Sequence, residues 1–351
     1  KTKAKTKAKT KAKTKANKRS NNRLALPSSL LSVNTPPKIV FLDRDTTDAD
    51  DIDFSEIEAS GEFLTFPITS PNEVNDRIAD AEIVMTNKVV INGDAMDAAP
   101  NLKLIQVVAT GVNNVDLEAA KSRGIAVCNV SGYSTPGVVQ HTFTLILNLM
   151  TNVHRFAAEP EKWAASPHFT RLDFPVSELA GKTLGIAGLG SIGGAVADVA
   201  EAFGMRVIGL ARDGAGSSGD RARLERAAFF AEADVISLHC PLTDDTHHLI
   251  NSETLSQMKS SAILINTGRG DLVNEPDLLA ALKAGEIAGA GLDVLSAEPP
   301  AAGHPLLERL PNLLITPHTA WSSIESRVRL IEGVASNLRA FLNGEKENRV
   351  V

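Results

Sequence analysis

From Lys38 onward, apolar runs of four to seven residues alternate with longer stretches of helical periodicity, and that alternation constrains the fold more than any other feature. Ile39-Val-Phe-Leu42, Glu82-Ile-Val-Met85, Lys103–Val108 and Ile125–Asn129 are strand candidates in the first part of the chain. Pro71–Ala81 and Val115–Ser122 read as helices between them, the second stopped by Gly124. A second series follows, with strands at Lys182–Ala187, Arg206–Leu210, Asp234–His239, Ala262–Asn266, Ala288–Val294 and Asn312–Thr316. Strands separated by helices cannot close tight hairpins, so the pattern predicts βαβ units and parallel sheets. A mostly apolar helix over Pro136–Val153, about 18 residues and roughly 27 Å long, joins the two series. Residues 155–180 read as irregular, and Ser322–Leu342 reads as an amphipathic helix ended by Gly344.

Charge is distributed unevenly. Residues 1–36 carry nine Lys, two Arg and no acid, with Lys-Thr-Lys-Ala repeated four times at the start. Taking those eleven from the 36 basic residues leaves 25 against 42 acidic ones, a net of −17 on the rest. Such a body is ill suited to a phosphate backbone, so no nucleic-acid partner is expected. The repeat puts no apolar stripe on any face, and disorder is expected over 1–36. A solvated tail, the remnant of an organelle transit peptide and a polyanion-binding arm all remain open for it. No apolar run reaches the roughly 18 residues of a membrane span. Two cysteines, Cys128 and Cys240, imply no disulfide framework. His247-His248 lacks a second ligand set, and no metal is expected.

Gly188-Leu-Gly-Ser-Ile-Gly193 lies directly after a strand candidate and opens a helix. In that context Gly188 permits a tight turn, Gly190 lets the backbone approach a pyrophosphate, and Gly193 permits close helix–strand packing. The first helical residues, Ser191 and Ile192, then present free N–H groups to the anion. The segment therefore reads as a dinucleotide site. At the end of the next strand an acid would accept hydrogen bonds from the adenosine ribose. This chain has Ala211 there, followed by Arg212 and Asp213. A guanidinium grips a phosphate in bidentate fashion, so NADP is the expected cofactor and NAD the alternative.

Four segments together resemble the D-isomer-specific 2-hydroxyacid dehydrogenase family: Gly188–Gly193, Asn266-Thr-Gly-Arg-Gly270, Gly291-Leu-Asp-Val with Ala297-Glu298-Pro299, and Thr316-Pro-His-Thr-Ala-Trp321. The resemblance covers about residues 38–345, and Thr86-Asn-Lys88, Cys128–Phe143 and Phe169–Pro175 look closest to its glycerate dehydrogenase (hydroxypyruvate reductase) branch. Ala211 departs from the family's acidic residue. The resemblance implies reduction of a small 2-keto acid, hydroxypyruvate or glyoxylate, to the D-2-hydroxy acid. Arg269 would clamp the substrate carboxylate, since its fork stays charged. His318 would give a proton to the developing alkoxide, because an imidazole titrates near working pH. Glu298 would hold the other ring nitrogen and favour the charged ring. Thr110 and Gly111 would cradle the second carboxylate oxygen, while Asp293 and Thr267 would lie by the nicotinamide.

The expected architecture is two-lobed α/β. A doubly wound dinucleotide-binding domain would span 131–317, and a smaller flavodoxin-like substrate domain would combine 37–130 with 318–351. The resemblance also implies a homodimer. A cytoplasmic protein is expected, with an organelle matrix as the alternative if the tail is a transit remnant. Two rivals stay open: a dinucleotide-sensing corepressor of the same fold, and a phosphoglycerate dehydrogenase.

Overall fold

Twelve strands pair only in parallel and form two sheets in a computed structural model that describes residues 36–211 and 221–351. The Lys-rich tail and Arg212 lie outside those residues. β1 (Lys38–Phe41), β2 (Glu62–Thr65), β3 (Ile83–Thr86), β4 (Leu104–Val107) and β5 (Ala126–Cys128) make a sheet of order 2-1-3-4-5. That is the doubly wound flavodoxin order. β6 (Thr183–Ala187), β7 (Arg206–Leu210), β8 (Arg223–Leu224), β9 (Val235–Leu238), β10 (Ile263–Asn266), β11 (Gly289–Leu292) and β12 (Leu313–Ile315) make the other, ordered 12-11-10-9-6-7-8. Counted from β6, this is the 3-2-1-4-5-6 Rossmann order with one strand added, and direction reverses between β6 and β9.

Inner strands β3, β4, β6, β9, β10 and β11 are buried at every residue, as helices on both faces require. The edge strands β2 and β8 have no buried residue. β2 is an edge strand in which exposed and half-buried residues alternate, so it offers no continuous apolar run to the eye. β8 has only two residues and pairs Gly209 and Leu210. Sequence patterning missed both. Residues 155–180 also differ from expectation, for short helices occupy Val153–Ala157 and Pro160–Ala164.

Two helices decide which sheet each part of the chain serves. Thr135–Thr151, with Pro136 in its first turn and left-handed Asn152 at its end, lays Phe143, Ile146 and Leu149 on the seven-stranded sheet. Ile324–Leu342 is capped by the Ser323 hydroxyl and packs Leu330, Val334 and Leu338 on the five-stranded sheet, at the other end of the chain from β1. Arg327 adds a fork of two bonds to Asp51, at 2.5 and 2.7 Å. Among the described residues, no helix is long and apolar enough to cross a membrane.

Candidate active site

The residues singled out for catalysis and substrate binding lie in loops at the carboxyl ends of parallel strands, where open α/β sheets hold their ligands. Gly188 follows β6, Arg269 follows β10, Glu298 follows β11 and His318 follows β12. From the other sheet, Lys88 follows β3 and Thr110-Gly111 follow β4.

The glycine-rich turn fits a dinucleotide. Gly188 has φ +100°, and a Cβ there would stand 2.6 Å from the backbone of His239 and Cys240. A Cβ on Gly193 would fall 2.0 Å from the Gly188 carbonyl oxygen, whereas one on Gly190 would meet nothing within 4 Å. Two glycines thus pack the turn against protein, and the third faces open space. Helix Ser191–Ala202 starts there with no side chain capping it, so its first N–H groups stay free for an anion. Ser191 is exposed and Ile192 half-buried. Arg221 is occupied elsewhere, bonding Asp198 at 2.5 Å and Glu201 at 2.8 Å on that helix.

His318 and Glu298 meet: Nδ1 of the ring lies 2.6 Å from Oε2 of the carboxylate. The other carboxylate oxygen accepts the Leu295 N–H at 3.0 Å. Burial pushes the Glu298 carboxyl up, but the His318 bond and charge, aided by the Leu295 N–H and Lys88, outweigh it and leave it below its usual value. His318 itself sits at φ +53°, a left-handed conformation that few non-glycine residues adopt. Its N–H donates to the Asp293 carbonyl at 2.8 Å. The Asp293 carboxylate is 1% exposed and accepts the Thr316 hydroxyl and the N–H groups of Thr319 and Ala320, at 2.6–2.9 Å. Asp293 therefore braces the turn that carries His318. Thr267 lies against Thr142, hydroxyl to hydroxyl at 3.3 Å.

Arg269 is exposed and reaches the other sheet's loop: a Cβ on Gly111 would stand 2.6 Å from its Nη2. The Thr110 hydroxyl bonds the Val130 carbonyl at 2.9 Å, which fixes that loop. Asn114 ties the same loop to the one after β3 through the Val89 carbonyl at 3.1 Å. Asp43, 2% exposed, then secures the β3 loop by accepting the N–H groups of Asn87, Lys88 and Val89 at 2.6–3.2 Å. Lys88 is solvent-accessible yet crowded; that crowding and the neighbouring Arg269 lower its pKa, and Glu298 and Asp43 restore part of it. Burial pushes the Tyr133 hydroxyl up to about 12 against the pull of Arg269. Sequence reading missed Asp43, whose one signal was an acid closing an apolar strand. Among the described residues, no group of three His, Cys, Asp or Glu is placed to hold a metal.

Residues 143–320 match the model of the D-isomer specific 2-hydroxyacid dehydrogenase NAD binding domain. A glycerate dehydrogenase from Methylorubrum extorquens is 42% identical over 320 residues, 89% of this chain and 98% of the relative. Among solved structures, an NADPH-dependent glyoxylate/hydroxypyruvate reductase from Sinorhizobium meliloti, with NADP and malonate, superposes with a TM-score of 0.75 at 28% identity, covering 90% of this chain and 97% of its own. A D-lactate dehydrogenase from Aquifex aeolicus with NAD and lactic acid gives 0.77 at 29% identity, covering 89% and 99%.

Proposed function

The chain belongs to the D-isomer specific 2-hydroxyacid dehydrogenase family and acts as a nicotinamide-dependent D-2-hydroxyacid dehydrogenase, and we propose that it reduces hydroxypyruvate or glyoxylate with NADPH. The Glu298–His318 bond carries this reading, because it gives one ring a fixed tautomer and leaves its Nε2 for the substrate.

Bound at the Gly188–Gly193 turn, the nicotinamide dinucleotide supplies the hydride, and the chain does the rest. Arg269 binds one oxygen of the substrate carboxylate with its charged fork and polarises its 2-keto oxygen. The N–H groups at Thr110 and Gly111 take the remaining carboxylate oxygen. His318 Nε2 donates a proton to the oxygen at C2 as that oxygen gains charge, and recovers it in the oxidation direction. Glu298 holds Nδ1–H throughout, so the ring neither flips nor turns. In this reading 37–130 and 318–351 bind the substrate, 131–317 bind the dinucleotide, and Asp293 and Thr267 line the nicotinamide end.

Lys88 supports a substrate with a polar group at C3, since it adds a second cation beside Arg269. Ala211 and Arg212 support NADPH, since the sequence has Ala where an acid would contact the adenosine ribose and Arg directly after it. The relatives with hydroxypyruvate and glycerate in their names agree with that substrate class. A homodimer is part of the proposal. Val153, Trp163, Phe169, Leu172 and Val176 expose 48–91% of their surface along one short segment, and a cluster of exposed large apolar side chains suits a protein–protein contact.

A panel of kcat/KM values tests the whole reading, with hydroxypyruvate, glyoxylate, pyruvate and 3-phosphohydroxypyruvate against NADPH and NADH. Hydroxypyruvate or glyoxylate with NADPH should lead. A tenfold preference for pyruvate, for the phosphorylated acid or for NADH would overturn the corresponding part. Light scattering on a column should give twice the chain mass of 37.2 kDa.

A further inference from the structure

Glu275 is the first residue of helix Glu275–Ala284 and is 8% exposed, although nothing in the reaction above uses it. Its two carboxylate oxygens reach two points on one segment. Oε1 accepts the Ser296 N–H at 2.8 Å, and Oε2 lies 3.0 Å from Nε2 of His304. Glu298 sits between those two points. The amide next to Ser296, that of Leu295, bonds Glu298 Oε1, and Glu298 Oε2 holds His318. On its other side the Leu295 carbonyl presses on Gly270, where a Cβ would come within 2.0 Å.

We propose that Glu275 is a positioning residue for the acid–base pair: by gripping Ser296 and His304 it holds the Leu295–Glu298 turn so that Glu298 stays on Nδ1 of His318. A buried carboxylate that takes a backbone N–H is well placed at a helix N-terminus, where the free N–H groups favour negative charge. Without it, the Ser296 N–H has no protein acceptor, the turn relaxes, and Glu298 is free to leave the ring for water. The proposal rests on the reading of His318 as the proton donor.

The test is the pH profile of kcat/KM for hydroxypyruvate with NADPH, in Glu275→Ala, Glu275→Gln, Glu298→Gln and the unaltered chain. NADPH fluorescence titration and a thermal melt accompany each. A displacement of this kind costs about 10–100-fold in rate. Glu275→Ala should lose that much at pH 7, shift its alkaline limb to lower pH as Glu298→Gln does, and bind NADPH normally. Glu275→Gln should recover most of the loss, since its amide oxygen still accepts the Ser296 N–H and its NH2 can donate to His304. Where Glu275→Ala does not fold, Glu275→Asp replaces it, being one methylene too short for both partners. If Glu298→Gln moves the limb while Glu275→Ala lowers activity equally at every pH, or Gln rescues nothing, Glu275 serves stability alone. If Glu298→Gln leaves the limb in place, the acid–base reading itself fails.

Discussion

Glu298 Oε2 and His318 Nδ1 stand 2.6 Å apart, joining the turn after β11 to the turn after β12. His318→Ala should lower kcat by about 10²–10⁴-fold, the usual contribution of a general acid, with the NADPH dissociation constant unchanged. Glu298→Gln should cost less, because the ring stays and a neutral amide oxygen can still accept from Nδ1. The Glu298 carboxyl lies below its usual value, so the pair contributes stability above the ordinary carboxylate range. That contribution is lost as pH falls through the lowered value, and melting curves of Glu298→Gln and the unaltered chain should converge there. Near-complete activity in His318→Ala would remove it from the chemistry.

Gly111 faces the guanidinium of Arg269 with no room for a methyl group. Gly111→Ala puts a Cβ where Nη2 now lies, 2.6 Å away, and the flexible Arg269 must withdraw. KM for the keto acid should rise about tenfold or more, since each 1.4 kcal/mol of lost binding is tenfold. The melting temperature should change little. An unaltered KM would mean that Arg269 binds its substrate from another direction.

Asp293 supports the left-handed residue at 318 from beneath. Asp293→Ala leaves the Thr316 hydroxyl and the Thr319 and Ala320 N–H groups without their acceptor. About 1–3 kcal/mol of stability should be lost, the cost of the one donor left buried, the Ala320 N–H. Chemical denaturation measures it, and a loss below 0.5 kcal/mol (roughly the scatter of a surface substitution) would mean the turn holds itself.

Burial holds the His239 ring down to about 4, well under the ordinary histidine value. The unfolded chain therefore takes up this proton first as pH falls. Stability should be flat above about pH 6.5, and should decline toward pH 4 by at most about 1.4 kcal/mol per unit. His239→Asn should flatten the decline in that window alone. Parallel curves for the two proteins would show that the ring does not change its charge on unfolding.

Where a motif acts through its backbone or its position at a strand end, sequence alone carried it. Gly188–Gly193, Arg269, Glu298 and His318 each stand next to an apolar strand, and their spacing placed them in loops of one sheet edge. Asp43 and Glu275 escaped notice because an acid beside an apolar run looks like any solvated turn residue. Only the folded chain shows that their oxygens point inward at N–H groups 44 and 21 positions away. β2 escaped for a related reason: at a sheet edge half of its residues face water, and the pattern dilutes.

Gly137, near the start of the helix that leaves the five-stranded half, has the returning chain lying directly across it. A Cβ there would sit 3.0 Å from the Ala320 carbonyl oxygen and 3.2 Å from the Ser326 hydroxyl. The outgoing and incoming passages of backbone thus touch, like two hinges mounted on the same jamb. A swing of one half on the other would have to bend both passages where they lie together. Gly137→Val should wedge the passages apart and alter the solution radius measured by X-ray scattering with and without NADPH, even though position 137 holds no side chain that could meet a ligand.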